Sequence, residues 1–244
     1  MKYFFFLIVA ATITLQAQTL SGDEILKNVD RTMITENKIV TSRMIIHGRR
    51  ESRTIESKSW QRHTNEAFTE YIAPPRDQGT KMLKLKDNLW TYTPSTDRII
   101  MISGHMLRQS VMGSDLSYED MMEDPHLPNL YTAIVIRDEV YNKRECWVLD
   151  LKSKKEDIAY DHRQIWVDKS RFVVLKEHLY AKSGLLLKTM DIREVTHFQN
   201  HWIAKSVLYK DVLKEGMGTE FFIDAISIDT PIPDYLFSKA ALKK

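Results

Sequence analysis

A mainly β protein is predicted by three features of this 244-residue sequence. Period-two alternation of side chains recurs in segment after segment between Lys38 and Ile228. Turn-forming clusters separate those segments at short intervals, and a long run of helical apolar spacing occurs only near the start. About twelve strands joined by tight turns make a sheet too wide to stay flat, so it is expected to curl into a barrel or half-barrel.

The first residues have the order of an export signal. Lys2 supplies positive charge, Tyr3 to Leu15 is apolar apart from Thr12 and Thr14, and Ala17 offers a small residue before the polar Gln18. The run is shorter than the roughly 20 residues that span a bilayer. Cleavage is expected after Ala17, leaving 227 of the 244 residues as a single domain, 18–244. No cysteine follows the run, so an acylated N-terminus is not expected and the mature chain should be soluble.

Ser21 and Glu24 then form a capping-box pattern ahead of Ile25, Leu26, Val29 and Met33, which share one face of a helix. From Lys38 to His47 the period changes to two, with Val40, Ser42, Met44 and Ile46 on one side and Ile39, Thr41, Arg43 and Ile45 on the other. Strand patterns continue to Ser103, with turns marked by Pro74-Pro75 and by Pro94 to Asp97. Residues 104–127 interrupt the meander. Ser117 reads as a helix cap with acidic residues in the turn after it, and Pro125 and Pro128 as the stop. β patterning resumes at Thr132 and runs to Ile228, and the tail from Pro231 to Leu242 reads as irregular chain with a helical turn or two.

Composition excludes several function classes. Without Lys2 the chain holds 34 basic and 33 acidic residues, with no basic stripe, so no nucleic-acid partner is expected. A single cysteine, Cys146, permits no internal disulfide and reads as a buried small residue. Gly113-Ser114-Asp115 lacks the glycine spacing of a nucleophile elbow. The eight histidines are scattered. His197 and His201 flank a Gln199-Asn200 turn, so they belong to different strands and do not form a ligand pair. No phosphate loop is present. No catalytic site, metal or cofactor is therefore expected. What stands out is methionine: Met101, Met106, Met112, Met121 and Met122 crowd the interruption, and methionine adapts to varied apolar shapes. Composition alone favours a plug of core side chains over the mouth of a binding site, because buried methionine is ordinary.

Three stretches together resemble the outer membrane lipoprotein-sorting protein family, whose fold is related to the lipoprotein carrier LolA and its receptor LolB. They are Asn88-Leu89-Trp90-Thr91-Tyr92-Thr93-Pro94, Asp97-Arg98-Ile99-Ile100, and Met112-Gly113-Ser114-Asp115-Leu116-Ser117-Tyr118-Glu119-Asp120, the last being the most specific. Trp202 to Lys205 and the Pro233-x-x-x-Phe237 tail also fit, so the resemblance spans the chain from about Gln18 onward. It implies an incomplete antiparallel barrel of about eleven or twelve strands, covered by short helices around an apolar cavity. It also implies a periplasmic location, a lipid or acylated lipoprotein as ligand, and an inner-membrane transporter as a further partner. A monomer is expected. The carrier's cavity arginine has no position that can be matched here, and the lipidated cysteine of the receptor is missing.

Under this reading the apolar wall and lid would be Met44, Ile46, Leu83, Leu85, Trp90, Met101, Met106, Leu107, Met112, Leu116 and Met121. Gly113 would serve a tight backbone, and Asp115 or Ser117 a helix cap. Two other readings compete. A transporter adaptor would have its cavity filled by side chains. An esterase would need Ser, His and Asp converging at a cavity mouth.

Overall fold

The computed structural model describes residues 20–244; the export signal and the cut after Ala17 lie outside them. The capping box forms as its sequence dictates. Ser21 Oγ accepts from the Glu24 amide, the Glu24 carboxylate accepts from the Ser21 amide at 2.8 Å, and helix α1 (Gly22–Met33) follows.

Thirteen strands follow, one more than the twelve expected. They are β1 (Asn37–His47), β2 (Ser52–Arg62), β3 (Glu66–Ala73), β4 (Lys81–Leu85), β5 (Asn88–Thr93), β6 (Arg98–Ile102), β7 (Tyr131–Tyr141), β8 (Arg144–Ser153), β9 (His162–Asp168), β10 (Val173–Tyr180), β11 (Leu186–Phe198), β12 (His201–Asp211) and β13 (Gly218–Ile228). Each pairs antiparallel with its sequence neighbour, giving two meanders, β1–β6 and β7–β13. Pairing of β1 with β13 welds them into one open sheet whose edges are β6 and β7. Strand ends with left-handed backbone, such as Asn142-Lys143 between β7 and β8, turn the chain within two residues.

One face of the sheet, here the inner face, carries α1 and the segment between β6 and β7. Ile25, Leu26 and Val29 of α1 bury themselves against Leu149, Leu151, Ile165 and Val167 on β8 and β9. Each such side chain contributes about 1.5–3 kcal/mol of transfer free energy. The helix approaches β7 so closely that a Cβ on Gly22 would sit 2.3 Å from the Ala133 carbonyl oxygen. Asp23 then accepts from the Ala133 amide at 2.7 Å, which occupies a donor of the edge strand.

The segment between β6 and β7 contains two 3-10 turns, Gly104–Arg108 and Val111–Gly113, and two short helices, α2 (Tyr118–Met122) and α3 (Leu127–Leu130). Ser117 caps α2, as its sequence predicts. The helix ends before Pro125 is reached, and Pro128 sits in the first turn of α3, where a proline fits, instead of stopping α2. The C-terminal tail forms 3-10 turns at Asp234–Phe237 and Lys239–Lys243 and packs on the outer face, over β3, β4 and β5.

Candidate functional site

The inner face is covered in two different ways. Over β7–β10 the cover is α1, seated by aliphatic side chains. Over β1–β6 it is the β6–β7 segment, and polar bonds fix that cover through its middle, from Met112 to Glu123. Asp115 is buried at the β12–β13 hairpin: its amide donates to Thr219 Oγ1 at 3.0 Å, and its carboxylate accepts from Thr219 Oγ1 at 2.7 Å and from the Asp211 amide at 3.0 Å. Its role is therefore to staple the segment to the sheet and not to cap a helix. Met112 and Gly113 both adopt left-handed backbone, and the Met112 carbonyl accepts from Arg53. Lys84, on the inner face of β4, donates to the carbonyls of Met121 and Met122 at 3.2 and 3.3 Å, satisfying the end of α2.

Beyond α2 the segment meets a buried ionic network on β9, β10 and β11. Arg163 donates to Glu177 at 2.9 Å and to Glu123, while its guanidinium stacks on Tyr131 and Tyr160 with centroid distances of 4.8 and 5.3 Å. Lys188 pairs with Asp120, which also accepts from the Tyr160 hydroxyl. Burial opposes the charged form of Asp120, but Lys188, Tyr160 and the Ser117 amide outweigh it and hold its pKa below the usual carboxylate range. Burial pushes Glu123 up, with Arg163 opposing. It also raises Tyr131 to about 12 and places Tyr160 well above an ordinary phenol. The motif from Met112 to Asp120 is thus a docking device, with three of its residues, Asp115, Ser117 and Asp120, holding the segment in place.

Between the two covers lies a hollow of about 490 Å³. Its wall includes Val40, Ile203, Val207, Phe221, Ile223 and Ile226 from β1, β12 and β13. Met33 of α1 borders it, and so does Leu116 of the insert. A smaller space of about 130 Å³, lined by Met44, Tyr71, Val111 and Met121, shares Ser42, Ser59, Leu116 and Phe221 with it. The hydroxyls here bond one another: Ser42 to Ser57 at 3.2 Å and Ser59 to Thr69 at 2.9 Å.

The structure divides the eleven apolar residues named from sequence. Met44, Ile46, Met106, Leu107, Met112 and Met121 gather in the inner cluster beneath the insert, and Leu116 lines both spaces. Leu83, Leu85 and Trp90 do not join them. They occupy the opposite face, packed with Phe68 and with Leu236, Ala241 and Leu242 of the tail. Met101 shares their outward phase on β6 and is exposed. The inward residues on these strands are Met82 and Leu89 instead.

Chemistry-bearing clusters lie elsewhere. A Ser52–His47–Glu220 chain has contacts of 2.9 and 3.1 Å, but its residues alternate with the inward Arg53, Ile46 and Phe221 and so face outward, and Glu220 also pairs with Arg193. Cys146 is fully buried, and burial raises its thiol pKa. Among the described residues, no group of three or more His, Cys, Asp or Glu is placed to hold a metal ion. No described helix is long and apolar enough to cross a membrane.

A family model described only as that of an uncharacterized protein and its like matches residues 63–244. The chain belongs to this family. No curated protein matches it. The fold itself recurs in solved structures. A domain described as an outer membrane lipoprotein-sorting protein, from Vibrio parahaemolyticus, is 25% identical with a TM-score of 0.79, over 91% of this chain and 98% of that one. A DUF1329 family protein from Desulfovibrio piger is 22% identical with a TM-score of 0.83, over 91% and 97%. A LolA superfamily protein from Nitrosomonas europaea is 19% identical with a TM-score of 0.75, over 91% and 100%. The family member described here thus has the fold of the lipoprotein-sorting and LolA superfamily proteins, as the sequence resemblance implies.

Proposed function

We propose that this protein is a periplasmic carrier that holds the acyl chains of a lipid or lipoprotein in the inner hollow. The observation that carries the reading is the unfilled apolar space between α1 and the insert, walled by aliphatic and aromatic side chains. At about 490 Å³ it exceeds the roughly 300 Å³ at which ligand pockets begin. That favours a carrier over an adaptor whose interior is filled. Likeness to proteins described as lipoprotein-sorting and LolA superfamily members supports the same reading.

The physical demand on such a carrier is plain. Each methylene kept from water is worth about 0.8 kcal/mol, so an acyl chain crosses an aqueous compartment only inside a cover that can also let it go. In this reading the insert is that cover. It presents Met106, Met112 and Met121 inward, and it is held by ion pairs and hydrogen bonds at Asp115, Asp120 and Glu123. An inner-membrane transporter is the proposed donor or acceptor of the cargo. Purification from the native host, solvent extraction and lipid mass spectrometry test the proposal. Co-purifying acyl lipid in near-stoichiometric amount is expected; absence of lipid, with no uptake of an added acyl probe, would overturn it.

A further inference from the structure

The wall of the inner hollow carries a charge that the fold leaves unanswered. Lys38 lies near the start of β1, in phase with Val40, Ser42 and Met44, so it belongs to the inner row. It lines the hollow beside Val40, Gln61, Ile226 and Trp202. Among the described residues no carboxylate pairs with it and no acceptor takes its ammonium hydrogens; burial alone acts on it, pulling its pKa below the ordinary lysine range. Three polar side chains of this wall are occupied by neighbours. Ser42 and Ser59 bond neighbouring hydroxyls, and the Gln61 amide donates to the His63 carbonyl at 3.1 Å.

Lys38 is half-buried, and an unpaired ammonium partly withdrawn from water into an apolar wall is stabilised when an anion meets it. The row that starts at Lys38 runs inward along β1 for about 20 Å to Met44, at the usual rise per strand residue. One end of the hollow therefore carries a cation and the other is apolar, bounded by Phe221 and Leu116. We propose that the hollow selects a single-chain amphiphile with an anionic headgroup, its carboxylate or phosphate seated on Lys38 and its chain laid against β1, β12 and β13. The inference rests on the carrier reading and adds to it the charge of the ligand.

Three probes of equal chain length separate the two claims: dodecanoate, dodecyl phosphate and dodecanol, titrated below their critical micelle concentrations. Wild type is expected to bind the anions about tenfold more tightly than the alcohol, the ratio that a charge-assisted bond of ordinary strength produces. Lys38→Met should lose that preference while keeping its affinity for dodecanol, and Lys38→Arg should keep it. The tighter of the two anions identifies the headgroup as carboxylate or phosphate. Equal affinity of wild type for all three, or a preference that survives in Lys38→Met, would overturn the role of Lys38 and leave the carrier reading standing. Failure of wild type to bind any of the three would sink the carrier reading, and this inference with it. The melting temperature of Lys38→Met should equal or exceed that of wild type, since the substitution removes an unpaired, half-buried charge from an apolar wall.

Discussion

The two covers of the inner face are built from different materials. α1 is seated by Ile25, Leu26 and Val29, which are 0%, 0% and 5% exposed, and nothing separates them from the sheet. The insert is seated by Asp115, Asp120, Glu123 and their partners, with adaptable methionines beneath it and a hollow beside it. Apolar burial is non-directional and holds a close-packed element at low cost in specificity. A buried ion pair is directional, and its attraction is largely offset by desolvation, so it registers a segment without gluing it down. The lesson is that one half of the sheet is a permanent core and the other is a cover in a fixed register.

The sharpest break in this comparison should come at Arg163. Arg163→Ala leaves Glu123 and Glu177 without their counter-charge, a situation that costs about 3–5 kcal/mol. Chemical denaturation should show a loss of that size, and the insert should exchange amide hydrogens faster than α1. On the other side, Leu26→Ala should cost about 3 kcal/mol by leaving a cavity in the solid half. Its expected signature is global: a lower urea midpoint with no selective loosening of the insert. Equal protection loss in both covers after Arg163→Ala, or selective loosening of the insert after Leu26→Ala, would remove the distinction.

Smaller effects refine it. Asp115→Ala strands the Thr219 hydroxyl and the Asp211 amide and should cost about 1–3 kcal/mol. Acid should weaken the insert's side first. The pKa of Asp120 is held low in the folded state, so its contribution is fully present above the unfolded value near ~3.9 and fades as pH falls through the lower folded value. The stability gap between wild type and Asp120→Asn should therefore be constant from neutral pH to about 5 and shrink below about 4. A gap unchanged at low pH would mean that the Lys188 pair contributes nothing. Met121→Leu, a near-isosteric change in the adaptable half, should cost less than about 1.5 kcal/mol.

Much of this architecture is legible in the sequence because each rule involved is local. The Ser21–Glu24 box starts α1, Ser117 starts α2, and the period-two segments become strands with nearly the expected bounds. Which face of a strand points inward is not local. On β4 and β5 both alternating sets are apolar, Met82 and Leu89 in one and Leu83 and Trp90 in the other, because the tail buries the second set from outside. Alternation separates the sets but cannot rank them, so nothing local tells that Leu83, Leu85 and Trp90 face outward. Arg163, Glu177 and Lys188 carry a signal of their own in the sequence. Each is a charged residue in phase with inward apolar neighbours: Ile165 and Val167 for Arg163, Leu179 for Glu177, Met190 and Ile192 for Lys188. A charge on an apolar face is rare unless it is paired. Lys38 shows the same phase beside Val40 and Met44, without a pair among the described residues.

The central claim is that the open half of the inner face is a binding space and not an imperfect core. Titration of a fluorescent acyl probe into wild type and Ile223→Trp tests it most directly, since Ile223 lines the hollow and an indole there would fill it. Wild type should bind the probe saturably at one site, with affinity reduced at least about tenfold in Ile223→Trp and unchanged in Leu26→Ala. Saturable binding that ignores the plug, or no saturable binding to wild type, would contradict the account.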